Sequence, residues 1–150
     1  MRKTFRGKIS QDEIQQIRLS TNNGLTGYQI IKFQLMPNTF NSDCNSVVKI
    51  FSKEPDSASN TVDFTDPTLI ASAYYSQSDT PHNQPEDLNV IFDNNLINQD
   101  MYITYKDALA STPPDINYYI ELEQVKLSKD EAAVATLKDM RAGPDTNFGP

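Results

Sequence analysis

Catalytic chemistry usually needs a tunable base beside a nucleophile, and this chain offers little of either. Its one histidine, His82, lies in Pro81-His82-Asn83-Gln84-Pro85 with no serine or cysteine motif nearby, and is expected to be a solvated loop residue. The lone cysteine, Cys44, sits in Asp43-Cys44-Asn45 without a neighbouring cation or histidine to stabilise a thiolate, so it reads as a small packed side chain. No Gly-x-Ser-x-Gly, Gly-x-Gly-x-x-Gly, phosphate-cradling loop or His-Glu-x-x-His is present, and five glycines in the whole chain leave little material for such loops. Two carboxylates alone can hydrolyse a glycosidic bond when held across a sugar cleft. Glu121 and Glu123 share a strand face by spacing, but with no tryptophan in the chain to hold a sugar they read as solvated surface. No catalytic residue and no cofactor is expected, and the chain reads as non-enzymatic.

A hard-cation site is the other small-site chemistry to weigh. The stretch Asp93-Asn94-Asn95-Leu96-Ile97-Asn98-Gln99-Asp100 packs oxygen ligands into one loop, with Asp93 and Asp100 as the calcium candidates. It lacks the turn glycine and closing glutamate of an EF-hand, and Asx-rich loops form between strands for turn geometry alone, so the expectation is a structural loop without metal. Zinc and iron have no ligand cluster in the sequence.

The charge pattern points towards contact. The formal net charge of -7 argues against a phosphate-neutralising surface, so no nucleic acid partner is expected. Four of the thirteen Lys and Arg residues, Arg2, Lys3, Arg6 and Lys8, fall within residues 1–8, whereas residues 54–105 carry acids and no Lys or Arg. Residues 1–8 therefore read either as a basic arm for an acidic partner or as ordinary charge scatter, and the arm is the reading carried forward. Seven tyrosines include the neighbours Tyr74-Tyr75 and Tyr118-Tyr119, where alternation along a strand sends one ring to the core and the other outward. Outward tyrosines serve as interface anchors or pack across strands.

The elements that must carry these residues are short strands. Runs rich in Ile, Val, Tyr, Phe and Thr predict strands at 5–10, 14–20, 28–36, 47–53, 69–75, 88–92, 101–106 and 118–127, and all nine prolines fall outside them. Asn23-Gly24 predicts a hairpin between the second and third strands. In the last strand the apolar phase passes from Tyr118, Ile120 and Leu122 to Val125 and Leu127, which predicts a β-bulge near Glu123 and Gln124. Ser128-Lys129-Asp130-Glu131 has capping-box spacing, and Ala133, Val134, Leu137 and Met140 follow on one helical face. That face either caps the sandwich core or, through Leu137 and Met140, contacts a partner. Gly143-Pro144 stops the helix, and residues 142–150 read as a loose tail.

At 150 residues the chain suits a single domain, 1–150, with one core. The expected architecture is all-β, a two-sheet antiparallel sandwich of jelly-roll type with one C-terminal helix. No apolar run reaches the roughly 20 residues of a membrane span, and the start has no hydrophobic segment of a secretory signal. A soluble protein with no membrane partner, made in a reducing cytoplasm, is expected.

The runs Asn89-Val90-Ile91-Phe92-Asp93, Asn98-Gln99-Asp100-Met101-Tyr102-Ile103-Thr104-Tyr105 and 117–127, with the trailing 135–141, resemble small structural proteins of marine tailed bacteriophages. The resemblance covers residues 28–141 and is one of strand pattern, without an active-site motif. It implies a virion protein made in the host cytoplasm: a capsid decoration (cement) protein or another small head or tail component. It further implies capsid or other virion proteins as partners and a homo-oligomer, commonly a trimer. The rival from another class is a carbohydrate- or calcium-binding sandwich, such as a receptor-binding or lectin-like module. His82→Ala is expected to leave folding and all binding unchanged apart from surface charge. A folded His82→Ala variant that lost a binding event in calorimetry would give that loop a function.

Overall fold

The computed structural model describes residues 1–19, 24–40, 43–78, 86–92, 96–108 and 110–141, with the side chains of the final helix described as far as Leu137. The expected loop histidine, His82, the calcium candidate Asp93 and the tail 142–150 lie outside the described residues. All eight expected strands form: β1 (Arg2–Ile9), β2 (Ile14–Ile17), β3 (Thr26–Pro37), β4 (Cys44–Phe51), β5 (Leu69–Gln77), β6 (Glu86–Ile91), β7 (Met101–Asp107) and β8 (Ile116–Lys126). They are followed by α1 (Lys129–Arg141).

Two antiparallel sheets, ordered β1-β8-β3 and β2-β7-β4-β5-β6, make a β-sandwich. Strand pairs 1 with 8, 2 with 7 and 4 with 5 are those of a long hairpin wrapped on itself, the jelly-roll arrangement. The departure is β6, which pairs with β5 instead of completing the smaller sheet beside β3. The smaller sheet therefore has three strands and the larger one five.

Alternation explains the packing. On β8, Ile116, Tyr118, Ile120 and Leu122 are buried in the core with Ile9 and Phe33 of the same sheet. From the larger sheet Val48, Ile50, Ala71, Ala73, Ile103 and Tyr105 join the same core. Residues two apart share a face, so one register satisfies every inward position of a strand together.

Three sequence expectations are corrected by the pairing. Residues 1–8 are not a free arm: Arg2 to Ile9 is an edge strand laddered to β8, with Phe5 opposite Ile120 and Ile9 opposite Ile116. The segment between β2 and β3 is no hairpin, since β2 pairs with β7 and β3 with β8, and the chain crosses between sheets there. Gly24, at φ +67°, does supply the left-handed conformation that Asn-Gly signals. Lastly, the bulge is on β3, where Ile31 is the extra residue between the pairs Ile30/Leu122 and Lys32/Glu121. β8 keeps its period of two. Val125 turns to the face opposite Leu122 because it packs in a second small cluster with Leu127, Ala132 and Ala135 beneath α1.

Two long polar side chains buried in the larger sheet are committed. The Tyr105 hydroxyl, on a fully buried side chain, donates to the Pro114 carbonyl at 2.9 Å and accepts from Ser46 Oγ at 3.1 Å. Lys49, on the outer side of the larger sheet, is covered by the connection 52–68 and donates to the Thr61 carbonyl at 2.5 Å. Burial lowers its pKa, opposed by the nearby Asp66 carboxylate.

Tyr105→Phe is expected to lower stability by about 1–3 kcal/mol in denaturant unfolding, because Ser46 and the Pro114 carbonyl lose a buried partner. Burial pushes the Tyr105 phenol above its ordinary range, so the folded chain keeps a proton that the unfolded chain releases near pH ~10. Its contribution is complete below about pH 10 and is lost as pH rises further, so the alkaline fall in stability should be shallower in the variant.

Candidate functional site

The acids and the thiol singled out by sequence have structural positions. Glu121 and Glu123 fasten β1 onto β8: Arg2 Nη1 lies 3.3 Å from Glu121 Oε1 and Arg2 Nε 3.7 Å from Glu123 Oε1. The amine of Met1 lies 3.1 Å from Glu123 Oε2, and the Tyr119 hydroxyl donates to Glu121 Oε2 at 2.8 Å. Cys44 is buried, and burial, with Asp107 and Asp43 adding to it, pushes its thiol up and keeps it protonated. Asp100 accepts from the Leu19 amide at 2.8 Å and from Gln16 Nε2 at 2.6 Å, which holds the chain leaving β2. Among the described residues no three His, Cys, Asp or Glu side chains gather as a metal site.

The four cations of residues 1–8 divide by strand face. Lys3 stands 5.8 Å from the ring centres of both Phe5 and Tyr28, and Arg2 is engaged by the two glutamates. Arg6 and Lys8 face outward, level with Tyr119 and Asn117 of β8 and then Gln34 and Met36 of β3. Neither has an ion-pair partner among the described residues. They border a groove of about 860 Å³ whose walls include Met36, Phe40, Tyr119 and Asp87. Phe40 is 61% and Met36 57% exposed, so two free cations stand beside uncovered apolar surface.

A tight contact sets one end of this groove. Gly7 has room for no side chain, since a Cβ there would stand 2.6 Å from the Tyr118 hydroxyl oxygen. That hydroxyl donates to Gln15 Oε1 at 2.8 Å, and Gln15 Nε2 donates to the Lys8 carbonyl at 2.8 Å. One β2 amide thus ties the edge strand to the core tyrosine below it.

The tyrosine neighbours follow the expected alternation: Tyr75 and Tyr118 are buried, and Tyr74 and Tyr119 are partly exposed. Met36 and Phe40 were not singled out by sequence reasoning. The ladder β1-β8-β3 brings them to Arg6 and Lys8, and the one local signal is Met36 falling out of phase with inward Phe33 and Leu35.

At the helix the expected capping box forms, with Ser128 Oγ accepting from the Glu131 amide at 3.2 Å and Glu131 Oε1 accepting from the Ser128 amide at 3.0 Å. Of the two readings of the apolar face, the structure overturns the one in which it caps the core. Ala132 and Ala135 are the buried residues, whereas Ala133 is exposed, Val134 is 67% and Leu137 53% exposed. The Met140 side chain lies outside the described residues. The helix is held by Asn98, whose Nδ2 has two hydrogens to share among three acceptors, Gly24 O at 3.0 Å, Ala132 O at 3.2 Å and Thr136 Oγ1 at 2.7 Å.

Comparisons with protein-family models, with curated proteins and with solved structures find no match to this chain.

Leu137→Asp is expected to shift stability by no more than about 0.5 kcal/mol, the range for surface changes. Asn98→Ala should cost about 1–3 kcal/mol through the buried groups it leaves without a donor. Thermal unfolding of the two variants checks this; unfolding of the Leu137→Asp protein would place that side chain in the core.

Proposed function

We propose that the chain is a non-enzymatic structural protein that docks on other protein subunits of a virus particle, as a capsid decoration (cement) protein or another small head or tail component. The observation that carries the docking mode is the pair Arg6 and Lys8, without ion-pair partners among the described residues, beside exposed Met36, Phe40 and partly exposed Tyr119 on one groove. Cations steer an acidic partner into place, and aromatic and methionine side chains supply desolvated contact. The virus setting rests on the likeness of the strand sequences. A jelly-roll-like sandwich is an architecture shared by capsid proteins and lectins, so the fold agrees with the setting without selecting it.

Deleting residues 1–8 would strip a whole strand from β8, so charge removal is the cleaner test. Arg6→Gln/Lys8→Gln should fold as the parent does and bind particles stripped of this protein about tenfold more weakly at low salt, with a flatter dependence on ionic strength. Co-sedimentation across a salt series reads both. Binding equal to the parent, with the same salt dependence, would overturn the docking role of this pair.

A further inference from the structure

Among the described residues no strand covers the outer sides of β1 and β6, and these two edges carry opposite charge. The Gln124 amide donates to the Met1 carbonyl at 2.8 Å, extending the β1–β8 register by one hydrogen-bonded pair. Such pairs alternate along an antiparallel ladder, so Lys3, Phe5, Gly7 and Ile9 bond to β8, and Arg2, Thr4, Arg6 and Lys8 turn their N–H and C=O groups to the open side. The Lys8 carbonyl is already taken by Gln15, which leaves Arg2 to Arg6 as the open stretch. On β6 the Phe92 amide donates to the Ile70 carbonyl at 3.0 Å, so the same alternation turns Asp87, Asn89 and Ile91 to the open side.

We infer that the partner of the basic edge is the acidic edge of a second copy of this chain, β1 of one pairing antiparallel with β6 of the next. This rests on the reading of Arg6 as part of a docking surface and names what docks there. The register that follows sets Arg6 opposite Asp87, Thr4 opposite Asn89 and Arg2 opposite Ile91. Between them Phe5 meets Leu88 and Lys3 meets Val90 in the closer, non-hydrogen-bonded pairs.

Three observations support it. Neither Arg6 nor Asp87 has an ion-pair partner among the described residues, although both border the same groove. All residues of β6 from Glu86 to Val90 are exposed, with Leu88 at 66% and Val90 at 40%. Such an edge is a template for another strand. Pairing β1 with β1 instead would set Arg2 against Arg6, and like charges directly opposite are unfavourable. Joining two different edges is a head-to-tail contact, which repeats into a closed ring when its rotation permits.

Charge reversal in two chains tests this. Sedimentation velocity over micromolar to millimolar protein should show concentration-dependent association of the parent. Arg6→Asp alone and Asp87→Arg alone should each weaken it about tenfold or more, because like charges then meet. An equimolar mixture of the two variants should associate again, since every junction then joins opposite charges. A monomeric parent at all concentrations, or variants that associate as the parent does, would overturn the inference; the second outcome would point to β6 pairing with β6. A mixture that stays as weak as its components would overturn the Arg6–Asp87 register. Asn89→Pro removes an open-side N–H of β6 at a residue outside the groove and keeps Arg6, Lys8 and Asp87, so particle binding by that variant reports on the docking surface separately. A parent that binds particles but does not self-associate would leave the docking reading standing and remove this one.

Discussion

β8 must hydrogen-bond on both sides and bury one face at the same time. As the middle strand of a three-stranded sheet it takes β1 on one side and β3 on the other, while Ile116, Tyr118, Ile120 and Leu122 project into the core. A slip of one residue would turn all four outward, so the register is held by burial along its whole length. What faces outward follows. Glu121 and Glu123 become the fastenings for Arg2 and the amine of Met1, Tyr119 lies level with Arg6, and Asn117 lies level with Lys8. The surface that carries the docking proposal is thus the reverse side of the core strand.

The sandwich is also organised by buried polar groups with few alternatives. Tyr105 ties Ser46 to the Pro114 carbonyl, and Asn98 spans Gly24, Ala132 and Thr136. A hydrogen bond of this kind adds modest net stability, but breaking one leaves a desolvated group without a partner, so the arrangement disfavours other packings. The helix depends on this more than on apolar burial, since it hides two alanines and leaves Val134 and Leu137 largely uncovered.

Edges are the natural weak point of such a fold, because an open strand invites further pairing. A jelly-roll wrap would cover β3 with β6, yet β6 joins β5 and extends the larger sheet by one strand. That choice leaves β6 exposed on all positions from Glu86 to Val90. Charge then decides what such an edge accepts: cations on β1 repel a second β1 and attract an acidic strand.

Local patterns were enough to place all eight strands, the helix and its Ser128 cap, because alternation, proline exclusion and capping spacing act between residues close in the chain. That one member of each pair, Tyr74-Tyr75 and Tyr118-Tyr119, is buried and its neighbour turned outward was legible for the same reason. Partnership was not. Arg2 to Ile9 reads as a charged arm until β8, more than a hundred residues later, supplies its ladder, and the β2–β3 link reads as a hairpin until each strand is claimed by a different sheet. Val125 looks like a phase slip until the helix gives it a second core to enter, and Leu137 reads as either core or contact until Ala132 and Ala135, on another side of the helix, prove to be the buried residues. The groove that Arg6, Lys8, Met36 and Phe40 border is assembled from five separated stretches of chain. Such contacts depend on which strands pair across long loops, a competition among hydrogen-bonding edges and apolar faces that no local window contains.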